Sequence, residues 1–424
     1  MRRYLTLTSF NFLILLLFFL VIEWRWQVEL LGYAVPNPYY LVAMLCLLTS
    51  VASMIKITAF NGRLSVLGMA ILCFMLYCFA VFVVNTPELM KIDMQYVIVE
   101  YGVWAINFGL FFIALDETLW MALNEHRRMV GLLYILFTAA PIFVIIILGN
   151  GADANYSLRR LVYLLDLSSG GDNHGVSYQS YGDKIALLTF LAFLLCKSRV
   201  QKVCVFCLSL ISLYIVGSKA SLLGFLFANV VYFLVETYKR KGILKFTALL
   251  TVILVMLLYG VFHVVGNEAY QDSENWVLQS FAAGEEEGSV ESRQNILKMN
   301  METLRSRFLL GDYAFDFKMG RPGSATHNIL MFLDYYGIFG FAFFASLWCY
   351  LLFLLIRYRS PKILVVDYSI LSLLFYGILI IIARGGGGYL TYWTLGSAAA
   401  AVKFMRDGRK RSLAAGDSLY LNKR

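Results

Sequence analysis

Long apolar runs recur from one end of the chain to the other, separated by short polar connections. Each comes close to the ~20 residues a helix needs to cross a bilayer. Twelve spans are read, at about 5–22, 39–55, 64–84, 97–115, 130–148, 177–196, 202–216, 220–236, 244–265, 327–356, 363–383 and 388–405. The first run, LTLTSFNFLILLLFFLVI, has the apolar core of a signal peptide. It is followed by EWRW rather than by a small-x-small cleavage site, so it reads as a retained span. The pattern predicts an all-α polytopic membrane protein of about twelve transmembrane helices. It forms a single integral membrane domain over 1–424, with a large, partly helical outer loop at 266–326 and a basic tail at 406–424.

Composition agrees. The chain is 60% hydrophobic and only 15% charged, against about 25% charged in a soluble domain. Basic residues set the expected orientation. With the N-terminus inside, every short inside connection carries at least two Lys or Arg, and the tail carries more. Both termini are then cytoplasmic, and the net charge of +9 is mostly a topology signal, not a sign of nucleic acid binding. The seven cysteines all fall in apolar runs and read as small buried residues without disulfides. Cys204 and Cys207 form a C-x-x-C without a second pair or a nearby histidine, which gives no metal site.

Two outside loops are long enough to carry function. The first, about 149–176, holds Arg159, Arg160 and His174, with Tyr178, Tyr181 and Asp183 just beyond. These could line a sugar site, or His174 is an ordinary loop histidine. The second, 266–326, contains ESRQNILKMNMETLRSRFLLG, where Leu297, Met301, Leu304 and Phe308 make one helical stripe. Arg293 lies on that stripe, one turn earlier. It either snorkels at an interfacial helix or grips an enclosed anion bidentately. Arg321 lies near the end of the same loop.

Lys219 sits in the turn between two short apolar runs, where it either snorkels at a helix start or, as a charge that is expensive there, marks a site candidate. His327 opens the tenth span, next to Asn328. As one helix, His327 to Ile356 would measure about 45 Å, more than the ~30 Å hydrocarbon core. His327 is therefore expected at head-group height, either as a plain helix-start polar group at the interface or as a base, kept neutral by a helix N-terminus and able to accept a proton. Asp334, two turns on, is expected to meet an acceptor sugar or another helix. Tyr335, Tyr336 and Trp348 read as packing and interface aromatics. Arg384 begins RGGGGY, an outer turn that either nests a phosphate or simply reverses the chain. His263 has no evident partner, and Glu285, Glu286 and Glu287 read as a solvated loop tip without metal spacing.

Three pieces occur in a recognisable order: Gly217-Ser218-Lys219, then Ser292-Arg293 opening a helix that ends at Leu310-Gly311, then His327-Asn328 followed by Gly337 and Gly340. In this the chain resembles the bacterial O-antigen polymerase and O-antigen ligase superfamily. The resemblance implies a cofactor-free, metal-independent glycosyltransferase of the bacterial inner membrane, acting at its periplasmic face. Its donor would be a glycan on undecaprenyl pyrophosphate. Lys219 and Arg293 would bind the pyrophosphate, and His327 would activate the acceptor hydroxyl. Membrane lipid and a chain-length regulator protein are the other partners implied. Two departures stand out: Lys219 replaces the usual Arg, and GDYAFDF replaces a glycine-rich segment after Leu310. A polymerase acting on a lipid-linked repeat unit is the expected activity. A ligase acting on lipid A-core and a polysaccharide transporter or flippase are the alternatives.

Overall fold

A computed structural model describes residues 10–21, 38–59, 64–148, 178–241, 308–320, 329–359, 363–382 and 388–414. Among the described residues, all regular structure is helical. Among these residues, six helices are long and apolar enough to cross a membrane, and two shorter apolar helices, Phe10–Phe19 and Tyr39–Ile55, accompany them. The chain is therefore an all-α, multi-pass membrane protein. The segments read as the spans at 244–265 and at the start of 327–356 lie outside the described residues.

In chain order the helices are α1 (Phe10–Phe19, passing into π-helical winding at Leu17–Val21), α2 (Tyr39–Ala59), α3 (Val66–Ile92), α4 (Met94–Leu115), α5 (Glu117–Glu125) and α6 (Arg127–Leu148). They continue with α7 (Tyr178–Leu195), α8 (Arg199–Val216), α9 (Lys219–Lys241), α10 (Phe315–Lys318), α11 (Leu330–Tyr358), α12 (Leu364–Ile382) and α13 (Tyr389–Ala414). Three differences from the expected limits stand out. Helix α3 runs past residue 84 to Ile92, the connection after α4 contains the amphipathic helix α5, and α13 continues to Ala414.

Breaks between helices follow side-chain capping, which replaces backbone partners lost at a helix end. Ser65 accepts from Gly68 N at the start of α3. Asp93 accepts from Gln95 N and Tyr96 N, so α3 and α4 meet in a one-residue hairpin. Asp116 accepts from Thr118 N and starts α5, and Ser198 with Gln201 forms a capping box on α8.

Small residues set the helix crossings, as expected where lipid offers no hydrophobic drive for association. A Cβ on Gly109 of α4 would lie 2.7 Å from the Cα of Cys46 on α2, and one on Gly396 of α13 would lie 2.7 Å from the Phe111 carbonyl oxygen. Helix α4 is thus gripped between α2 and α13. Helix α12 is the central member, packed against α7, α9, α11 and α13. The seven cysteines are all free, with Cys46 and Cys78 buried while Cys73, Cys204, Cys207 and Cys349 face outward; the expectation that all are buried is corrected.

Because connected helices alternate in direction, the ends of the bundle differ in charge. One end gathers Arg127, Arg128, Lys197, Arg199, Lys202, Arg357, Arg359 and Lys403. There Arg359 ties three helices together. Its guanidinium lies 2.5 Å from Glu236, donates to Asp367 at 2.7 Å and to the Tyr232 hydroxyl at 2.6 Å, and sits over the Tyr232 ring.

At the opposite end the tenth span is not the single helix expected. Gly337 has φ 67 and ψ −175, a conformation essentially restricted to glycine. It breaks α11 into a short piece at this end of the bundle, called the outer piece for its distance from the basic end, and a long piece that runs toward the basic end. Segment 308–320 docks into the break and supplies backbone partners: Ile338 N donates to Phe308 O at 2.8 Å, and Asp312 N donates to Asp334 O at 2.8 Å. The Tyr77 hydroxyl donates to Tyr336 O at 2.7 Å. Without water, each such group left open would cost several kcal/mol.

A Cβ on Gly337 would lie 2.2 Å from Leu309 O, and one on Gly311 (φ +74) 2.4 Å from Tyr335 O. Gly311→Ala and Gly337→Ala are therefore expected to destabilise the protein by at least about 2 kcal/mol. Gly131→Ala, whose new Cβ meets nothing within 4 Å, should be neutral or slightly stabilising. Thermal unfolding followed by size-exclusion fluorescence checks this order; equal melting temperatures for all three would refute the docking account.

Candidate functional site

The docked segment makes the end of the bundle opposite the basic one densely polar. Tyr313 donates to Glu100 on α4 at 2.6 Å, and Tyr335 donates to Asp316 at 3.0 Å. Phe317 stacks on Tyr96 with ring centroids 4.4 Å apart. Lys318 Nζ lies 2.5 Å from Asp312, 2.9 Å from Glu88 and 2.5 Å from the Asn85 side-chain oxygen. Burial pushes the Tyr313 phenol well above its ordinary value, and the neighbouring Glu100 adds to this. It therefore stays protonated and keeps donating to the carboxylate.

A second polar cluster forms where α7 meets the start of α9. Gly217 closes α8 with φ 77, and its N–H donates to Tyr214 O. The Ser218 and Ser221 hydroxyls lie 2.5 Å apart, and Ser221 donates to Asp183 at 2.6 Å. Gly182 permits this approach, since a Cβ there would sit 2.8 Å from the Ser221 oxygen. On the next position of α7, Lys184 is only 1% exposed. Its ammonium lies 3.3 Å from the Phe18 carbonyl and 4.1 Å above the Phe18 ring. That carbonyl belongs to the π-helical winding of α1. Buried charges in a membrane bundle mark functional positions by default.

The sequence-predicted residues fall as follows. Lys219 is the first residue of α9, in the turn anchored by Ser218, Ser221 and Asp183. Asp334 lies in the outer piece of α11, 3% exposed, at the docked segment. Tyr335, Tyr336 and Trp348 are buried packing residues. Tyr181 is buried in the core, and its hydroxyl donates to Phe137 O at 2.6 Å. That carbonyl is the one Pro141 leaves without its i−4 helix partner. Arg159, Arg160, His174, Arg293, Arg321, His327, Asn328 and Arg384 lie outside the described residues. Among the described residues, no group of three or more His, Cys, Asp or Glu side chains is placed to hold a metal ion.

Sequence reasoning passed over Glu100, Lys184, Asp316 and Lys318. The first two carried a signal: each is an ionisable residue inside an apolar span. The other two lie in GDYAFDFK, which sequence alone marks only as a departure from a glycine-rich pattern. No protein-family model matches the chain, and no curated protein matches it either.

Tyr181→Phe removes the hydroxyl that donates to the Phe137 carbonyl and is expected to cost about 1–3 kcal/mol of stability. In a Pro141→Ala background the helix supplies its own N–H to that carbonyl, so the same substitution should cost clearly less. A double-mutant cycle by thermal unfolding measures the coupling; additive effects would disprove the pairing.

Proposed function

We propose that the chain is a polysaccharide polymerase, a glycosyltransferase that moves a glycan from undecaprenyl pyrophosphate to a lipid-linked repeat unit. The basic end faces the cytoplasm, following the charge rule for short loops. The docked segment and the Gly217 turn then lie at the periplasmic face of a bacterial inner membrane.

One observation carries this reading. Gly311 and Gly337 belong to separate pieces of the resemblance, and they stand in backbone contact. Gly337 supplies the break, and Gly340 leaves room for the Tyr336 Cβ, 2.4 Å from where its own Cβ would be. The two glycines thus have a joint physical task, which joins the segment that follows Arg293 to the helix that follows His327. In the proposed mechanism Lys219 and Arg293 stabilise charge developing on the leaving pyrophosphate. His327 takes the proton of the acceptor hydroxyl, a contribution of about 10²–10⁴-fold.

The transporter reading also has a specific observation behind it. A broken span, the buried Asp183 and Lys184 and the part-buried Glu100 are features of transport sites at the membrane midplane. All three lie in the half of the bundle that holds the docked segment and the Gly217 turn, which favours chemistry at an interface over a path through the bundle.

Purified protein incubated with undecaprenyl-pyrophosphate-linked repeats should yield a ladder of glycan lengths on a gel. His327→Ala should lower the rate by at least about 10²-fold, and Arg293→Glu should abolish it. Product only when lipid A-core is added would assign a ligase instead. Absence of product with either acceptor, together with movement of the lipid-linked repeat across proteoliposomes, would overturn the transferase reading in favour of transport.

A further inference from the structure

A cavity of about 490 Å³ opens at the basic end of the bundle, between α6, α7 and α8. Three cations line it: Arg127 and Arg128 in the first turn of α6, and Lys197 in the link from α7 to α8. No Asp or Glu lines it. Among the described residues, no ion pair is formed by these three cations, and all three are exposed. Glu125, the acid nearest in sequence, does not line the cavity.

Away from the cations the walls turn apolar. Gly131, Ile135 and Leu208 follow along α6 and α8, and Ile135 is 51% exposed. Ile135 lies two turns from Arg127, about 12 Å along the helix. Gly131 leaves the groove open, since a Cβ there would meet no atom within 4 Å. A cationic mouth at one end and an apolar trough open to lipid at the other match one ligand chemistry: an anionic head group carrying an acyl chain.

We infer that this groove is a binding site for an anionic glycerophospholipid, with its phosphate held by Arg127, Arg128 and Lys197 and an acyl chain lying over Gly131 toward Ile135 and Leu208. Gly217 marks the far end of α8, about 27 Å away along the helix, so this site is separate from the one proposed for catalysis. A free phosphate would use the cations but not the trough. A zwitterionic lipid would fill the trough, but its own cation would oppose the three at the mouth.

Native mass spectrometry of the full-length protein in detergent tests this, with palmitoyl-oleoyl phosphatidylglycerol and phosphatidylcholine as probes. The wild type should retain phosphatidylglycerol in preference to phosphatidylcholine. The triple variant Arg127→Gln, Arg128→Gln, Lys197→Gln should weaken that retention by on the order of a hundredfold. Gly131→Trp, which projects into the open groove, should also displace the lipid while leaving the lipid-free melting temperature unchanged. Equal retention of both lipids, or wild-type retention in both variants, would overturn the inference. Displacement of phosphatidylglycerol by glycerol phosphate at matching concentration would do so as well, since it would make the groove a site for soluble anions.

Discussion

The meeting of Gly311 with Gly337 is the contact on which the outer half of this protein depends. A helix cannot break inside a membrane unless its freed backbone groups find partners. Here they find them in segment 308–320 and in Tyr77. The approach is so close that a side chain on either glycine would overlap the other's backbone neighbourhood. Once the segment is docked, Tyr313, Phe315 and Asp316 are buried, and Lys318 is tied to the end of α3. The outer piece of α11 is then held from both sides.

The same demand for satisfied polar groups explains the rest of the interior. Pro141 takes a hydrogen bond from α6, and Tyr181 replaces it. Arg359 is almost fully enclosed but meets two carboxylates and a phenol, which is the condition for burying a cation. Lys184 uses a carbonyl and the Phe18 ring. Between these anchors the helices approach through small residues such as Gly109, Gly182 and Gly396, because contact in lipid comes from packing rather than from escape from water.

Much of the site's framework was legible from local pattern. The Gly217-Ser218-Lys219 turn falls between two helices where the apolar runs placed it, and Asp183, noted beside Tyr181, anchors it through Ser221. Tyr181 itself was a candidate for binding sugar because of its position near an outer loop. Its partner, a carbonyl freed by a proline forty residues away, has no signature in the neighbourhood of either residue. Glu100 and Lys184 were visible as charges in apolar runs, but their partners Tyr313 and Phe18 come from distant parts of the chain.

By itself, the sequence determined the class of structure, the positions of the helices that the structure describes and the difference in charge between the two ends. These follow from length, hydropathy and the placement of Lys and Arg, all of which act locally in a bilayer. It also marked Gly311, Gly337 and Gly340 by their order. Only the tertiary structure decided that the tenth span is broken, that GDYAFDF is a buried wedge rather than a loop end, and which outer residues are core. The reason is that a glycine in a helix reads alike whether it relaxes the chain or admits another backbone. What distinguishes the two is the segment that arrives to fill the space.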